Sequence, residues 1–436
     1  MLNQSLIRTL RVCWLAALLF LTLAASALAQ VSAIRAGRLI DPATGTVRQN
    51  QILIIEGGKI KEIGGNLAIP PGASVVDLSQ ETVLPGLIDC HTHLCLTMSP
   101  PRGSSDRDFY EALLLSITAN STAFRALQGA ANARAMLEAG FTTVRDVGNA
   151  GSYADTEVRR AIEEGLLPGP TIINAGRIIA PFGGQLFLVL NPEHHERTNA
   201  EYFYADTHDE LIKAVRENIV YGAKLIKLVV DDEPFIYSVE DIRLVVEEAA
   251  KAGLKVAAHG YTRAGARNAI EAGVASVEHG YDMTDDDLRL AKKKGVILVG
   301  TDRSAEVYRI LQVPQESQAK RIDRLKRAWR LQVPMAFGTD IYFDVPGHTR
   351  GSAALTSLEC WTAAGVPAQA ILRFMTSDAA HLLAVDAERG AIKPGLYADL
   401  IATPNDPLKD VNALKRVDFV MKNGVVFRQG QIRAVH

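Results

Sequence analysis

The chain has 436 residues, 48% hydrophobic and 22% charged, enough for a large core and more than one domain. Its 47 basic and 49 acidic residues leave a formal net charge of −2. That balance excludes the strong field that draws in nucleic acid or an anionic membrane, and it points to a small-molecule partner.

Residues 1–29 read as a secretory signal peptide. Arg8 and Arg11 precede the apolar run WLAALLFLTLAA, and SALAQ then supplies small residues at Ala27 and Ala29, so cleavage is expected after Ala29. A retained membrane anchor is the alternative, but the run is shorter than the roughly 20 residues of a spanning helix. The mature protein is therefore expected to be periplasmic or secreted, with no membrane attachment. Cys13 leaves with the leader, and the odd remainder of Cys90, Cys95 and Cys360 is no disulfide framework.

Residues 30–84 and 393–436 alternate apolar and polar positions between Gly, Asn-Gly and Pro turns, as half-buried antiparallel strands do. The stretch KNGVV is a strong hairpin signal. Neither end has enough apolar residues for its own core, so the two are expected to pair into one small β-sandwich.

Between them, residues 85–392 alternate short β-branched runs with helical stretches. Eight runs are visible: TVLPGLIDCHTH, TTVRDVG, TIINAGRII, LIKLVV, KVAAHG, SVEHG, VILVGT and MAFGTD. Between the fourth and fifth, SVEDIRLVVEEAAKAG reads as a helix with Ser238 as N-cap, Asp241 completing a capping box and Gly253 ending it. Strand then helix, repeated eight times, is the pattern of an α/β (β/α)8 barrel, with a doubly wound open sheet as the alternative.

In such a barrel the functional residues gather at the C-terminal strand ends. His91 and His93 end the first run, two residues apart, and so point the same way. Lys227 lies in the fourth run, His259 ends the fifth, His279 the sixth and Asp340 the eighth. Neutral imidazoles and a carboxylate suit a divalent ion such as zinc. Lys227 would bury an ammonium, which is costly. Either it pairs with Asp231 or Asp232, or its neutral amine adds carbon dioxide and becomes a carbamate bridging two metals. The five other candidates favour the bridge. The remaining histidines default to solvated roles, except His348, whose loop DIYFDVPGHTRG follows Asp340 and would overlie the site. The segment 181–210, rich in Phe and Tyr, reads as a lid or a subunit interface, the latter implying a homo-oligomer.

The stretches VLPGLIDCHTHL, GAKLIKLVV, VAAHGYTRAGARNAIEAGVASVEHG, FGTD and GAIKPGLYADLIA resemble the amidohydrolase superfamily, in its imidazolonepropionase-like and Xaa-Pro or Xaa-Arg/Lys dipeptidase-like branch. The resemblance covers essentially the whole mature chain. It implies two divalent ions: His91 and His93 on the first, His259 and His279 on the second, and Lys227 as carboxylated bridge. It further implies that Asp340 binds the first ion and shuttles protons, and that Tyr237 lies near the substrate's free carboxylate. In one place the chain departs from the pattern. Where many dipeptide-cleaving relatives carry Gly-Gly-His after the third strand, this chain reads APFGGQLFL, with Gln185 in the histidine's position. The amide of Gln185 can donate a hydrogen bond but cannot take a charge.

The leading expectation is metal-dependent hydrolysis, by a metal-bridging hydroxide, of the amide to the C-terminal amino acid of a dipeptide or N-acyl amino acid. Opening of a cyclic amide or imide is the second reading, and an exported metal- or solute-binding protein without catalysis the third.

Overall fold

The computed structural model describes residues 31–231 and 234–430. The leader 1–29 with its cleavage point, Cys13, Asp232 and His436 lie outside the described residues. Among the described residues no helix is long and apolar enough to cross a membrane.

The described chain opens with β1 (Ser32–Asp41), β2 (Thr46–Glu56), β3 (Lys59–Gly64) and β4 (Ser74–Pro85). Ten strands follow: β5 (Leu87–Thr92), β6 (Phe141–Asp146), β7 (Thr171–Asn174), β8 (Ile178–Ala180), β9 (Tyr202–Tyr204), β10 (Ile226–Val229), β11 (Val256–Gly260), β12 (Ser276–His279), β13 (Ile297–Gly300) and β14 (Met335–Phe337). The last three are β15 (Leu400–Thr403), β16 (Phe419–Lys422) and β17 (Val425–Gln429).

Both chain ends join in one seven-stranded sheet of order β17-β16-β15-β4-β1-β2-β3. The Asn-Gly turn between β16 and β17 has φ of +49° at Asn423 and +76° at Gly424, the left-handed pair that a tight hairpin demands. The sheet curls until the β2–β3 hairpin meets the segment before β15, where the N–H groups of Ile60 and Ala398 donate to Leu396 and Gly58 at 2.8 and 2.9 Å. The expected sandwich is thus one continuous sheet folded over its own core of Ile34, Leu53, Val76, Leu400 and Phe419. One pair departs from the antiparallel expectation: β1 and β4 run parallel. The β2–β3 hairpin occupies the far side of β1, so the chain crosses back through residues 65–73 before entering β4 in the same direction.

The remaining strands form the barrel. Parallel pairing runs through β5-β6-β7 and, separately, β14-β13-β12-β11-β10-β8-β9. The seam between first and last closes where Asp340 N–H donates to His91 O at 2.9 Å and Thr339 bonds Asp89 through N–H (3.1 Å) and Oγ1 (2.7 Å). Only glycine fits at Gly338 beside this seam, since a Cβ there would lie 2.8 Å from that of His91. Because the first and eighth strands meet, the open-sheet alternative falls away.

The third expected strand is broken in two. β7 pairs with β6 and β8 with β10, because the chain turns at Gly176 (φ +70°) under the ring of Tyr153. Lys224 N–H carries the ladder across the break by donating to Asn174 O at 2.7 Å. The helix Val239–Ala250 starts with the expected Ser238/Asp241 capping box and is capped by Lys251, two residues before the left-handed Gly253.

Candidate metal centre

All six expected ligands, in the strands or just past their C-terminal ends, line one cavity, and each is no more than 5% exposed. His91 in β5 and His93, one residue past its end, place their ring centres 5.3 Å apart. From His91 the ring of His279 is 5.0 Å away, and from His279 that of His259 is 4.5 Å. Lys227 lines the same cavity from β10. Asp340 Oδ1 lies 3.3 Å from His93 Nε2 and 3.6 Å from His91 Nε2, and one donor atom of each of these three residues falls within 4.8 Å of the others. The backbone bends to bring the last two ligands in: His279 has φ +69° and Asp340 φ +54°, values uncommon for a residue with a Cβ.

The far edges of the rings are fixed. His91 Nδ1 donates to Glu278 Oε2 at 2.7 Å, His93 Nδ1 donates to Gly148 O at 2.9 Å, and His279 Nδ1 is bonded to Thr301 Oγ1 at 2.7 Å. Glu278 is itself held by Arg145 Nη2, at 2.7 and 2.8 Å, and by Ser276 Oγ at 2.5 Å. With Nδ1 donating to an acceptor, the tautomer of His91 and His93 leaves a lone pair on Nε2, the atom that faces Asp340.

Burial drives His91, His259 and His279 well below the usual imidazole range, with the positive charge of Lys227 acting in the same direction, so these rings are neutral. Lys227 is pushed down to about 8 by burial, against the opposing pull of Glu278 and Asp340. For Asp340, burial works upward but is outweighed by the Arg303 guanidinium and by His91 and His93, which hold the carboxyl below its usual range. Arg303 Nη2 donates to Asp340 Oδ2 and, at 2.8 Å, to its main-chain oxygen. One carboxylate oxygen thus faces the histidines while the other is claimed. Neutral imidazoles sharing a cavity with an ionised carboxylate, beside an amine pushed down to about 8, form a donor set that fits a divalent cation of zinc's type.

The cavity has a volume of about 240 Å³ and opens to solvent at its rim. Gln185 lines it from the short 3-10 turn Gly184–Leu186, and its Oε1 accepts from Tyr202 OH at 3.3 Å. Tyr237 and His348 are placed elsewhere. The hydroxyl of Tyr237 donates to Ala205 O at 2.6 Å and its ring packs in the core around the barrel. His348 is exposed, near Ser352 and Glu306, in a separate depression on the outer face. The thiols of Cys90, Cys95 and Cys360 are buried and unpaired.

The ligands' supports escaped the sequence reading. Arg145 and Glu278 did leave a signal, since a charge inside a parallel strand buried on both faces needs a partner. Thr301 and Arg303, in the loop after β13, left none.

Residues 82–427 match the model of the Amidohydrolase family, and the chain belongs to that family as a hydrolase of carbon–nitrogen bonds. Among individual proteins, it is 29% identical to ochratoxinase of Aspergillus niger, over 94% of this chain and 89% of that one. It is 25% identical to imidazolonepropionase of Geobacillus sp. (strain WCH70), over 88% and 92% respectively. A crystal structure of a prolidase complexed with N-methylphosphonate-L-proline superposes with a TM-score of 0.79 at 26% identity, covering 92% of this chain and all of that one.

Proposed function

We propose that the protein hydrolyses the amide joining an acyl group to a C-terminal amino acid, in a dipeptide or an N-acyl amino acid. The observation that carries this reading is the buried ring of His91, His93, Lys227, His259, His279 and Asp340 in one solvent-open cavity. Similarity to ochratoxinase and to a prolidase supports it.

His91, His93 and Asp340 would hold one divalent ion, zinc by donor type, and His259 and His279 a second. Lys227, as its carbamate, would be the anion they share. Bound there, the ions would acidify a water and polarise the scissile carbonyl. Forming the carbamate joins the Lys227 nitrogen to the carbon of carbon dioxide and releases one proton, so it requires the neutral amine that burial favours. Asp340 accepts a proton from the attacking water and returns it to the leaving nitrogen, as base and then acid. Arg303 keeps the carboxylate oriented through Oδ2. Gln185 donates its amide N–H to the substrate carbonyl oxygen as charge grows there.

Metal-replete protein assayed against dipeptides, N-acyl amino acids and cyclic amides tests the reading. Linear amides are expected to turn over, and Asp340→Asn to lower kcat by about 10²- to 10⁴-fold with metal still bound. Turnover of cyclic amides alone would sink the proposed substrate class. The leader, by its sequence, is proposed to direct export to the periplasm or medium. A mature N-terminus at Gln30 is expected, and an intact leader on cytosolic protein would refute it.

A further inference from the structure

One wall of the cavity carries a cation that makes no ion pair among the described residues. Arg321, on the helix Gln315–Arg330, lines the cavity with its guanidinium carbon 3.9 Å from the ring centre of Tyr281 and 5.2 Å from that of Tyr308. Its hydrogen bond runs from Nη1 to Tyr308 OH, at 3.4 Å. The charged groups around it are engaged elsewhere. Arg303 is on Asp340, Arg324 grips both oxygens of Asp302 at 2.9 and 2.7 Å, and Lys320 takes Asp282 at 2.6 Å. Among the described residues no carboxylate is in ion-pair contact with Arg321, so three guanidiniums here meet two carboxylates.

A stack of rings links the metal centre to this cation. Tyr261 lies 4.2 Å from the ring of His259 and 4.7 Å from that of His279, Tyr281 stacks on Tyr261 at 5.1 Å, and Arg321 covers Tyr281. A guanidinium laid on an aromatic face keeps its in-plane N–H groups for a planar anion, and it is weakly hydrated, so it gives up water readily. A carboxylate matches that fork with two parallel hydrogen bonds.

We propose that Arg321 receives a carboxylate of the substrate, fixing the leaving amino acid beside Tyr261 while its amide lies at the histidines. The inference rests on the amide-hydrolase reading above. The anion is either the α-carboxylate or an acidic side chain of that amino acid, and the chemistry recognised is the same.

Four probes separate these sources: N-acetyl-L-glutamate carries both carboxylates, N-acetyl-L-glutamine the α-carboxylate, N-acetyl-L-isoglutamine the side-chain one, and N-acetyl-L-glutamine amide neither. Binding to metal-loaded protein is measured by calorimetry, with KM and kcat for any probe that is hydrolysed. Arg321→Met is expected to weaken binding of the glutamate probe, and of whichever single-carboxylate probe carries the recognised group, by about 10- to 100-fold, with kcat and metal content held and the neutral amide unaffected. Arg321→Lys should retain part of the preference, which keeps the test alive if the methionine variant folds poorly. Loss shared by the glutamate and glutamine probes alone assigns the α-carboxylate, and loss shared by the glutamate and isoglutamine probes alone assigns the side chain. Equal weakening of all four probes, or of none, overturns the assignment. Arg321-dependent binding without hydrolysis supports the subsite and counts against the amide-hydrolase reading alone. Hydrolysis indifferent to both carboxylate and Arg321 counts against the subsite alone.

Discussion

Two lysines in different parts of the molecule share the same electrostatic fate. Lys227 in the barrel mouth and Lys422 in the end sheet are both pushed down to about 8 by burial. Lys422 donates from Nζ to Gly169 O at 3.0 Å, beside the Arg389–Asp399 pair, which closes at 2.7 Å. It does not line the cavity that holds the histidines. Lys227 faces a cavity ringed by neutral imidazoles and Asp340. A depressed amine is therefore no site by itself. What separates the two is the cavity that Lys227 lines and the company there of donors with unspent lone pairs.

That contrast can be broken most sharply by swapping each lysine for methionine. Lys227→Met should lower kcat/KM by at least about 10³-fold, the scale of losing several kcal/mol of transition-state stabilisation, and should lower metal content measured by mass spectrometry. Lys422→Met should leave both near wild type. Equal losses in the two variants would mean that burial, and not the donor ring, defines the centre.

A smaller effect is expected one layer beneath the ligands. Glu278→Gln keeps the shape but weakens the hold on His91 and leaves Arg145 without its counter-charge. Metal affinity or activity should fall about 10- to 100-fold, read by titrating metal back into stripped protein. An unchanged affinity would show that His91 needs no such support.

The smallest effect concerns stability. Lys422 has a folded pKa of about 8 against 10.5 for the free side chain. Between those values the unfolded chain binds a proton that the folded chain has released, so stability rises with pH across that window. Its contribution is fully present above about 10.5 and is lost as pH falls through 8. In urea titrations, wild type should gain on Lys422→Met by on the order of 1–3 kcal/mol from pH 8 to pH 10.5. A constant difference would remove the burial argument for this lysine.

The barrel was legible because parallel strands buried on both faces read as unbroken apolar runs, against which His91, His93, Lys227, His259, His279 and Asp340 stand out. The break at Gly176 was not read, although a glycine inside a strand is a warning of one. The parallel β1–β4 pair had no signal, since alternation shows which face is buried and nothing of direction. Tyr237 was carried over by position along the chain, and position does not decide that its hydroxyl turns to Ala205. Arg303 and Arg321 sit in a loop and on a helix, where arginine is ordinary, and only their neighbours in space mark them out.

Strand β4 ends at Pro85 and β5 begins at Leu87, with Gly86 between them lying against Thr142, where a Cβ would approach to 2.2 Å. The segment that bonds Leu84 to Ile401 therefore continues, with almost no slack, into His91 and His93. The end sheet and the metal centre are coupled in series, like a rod and its clamp. The register in which the last part of the chain grips β4 sets how far the first two ligands reach into the barrel, so residues near position 400 govern the alignment of chemistry begun three hundred residues earlier.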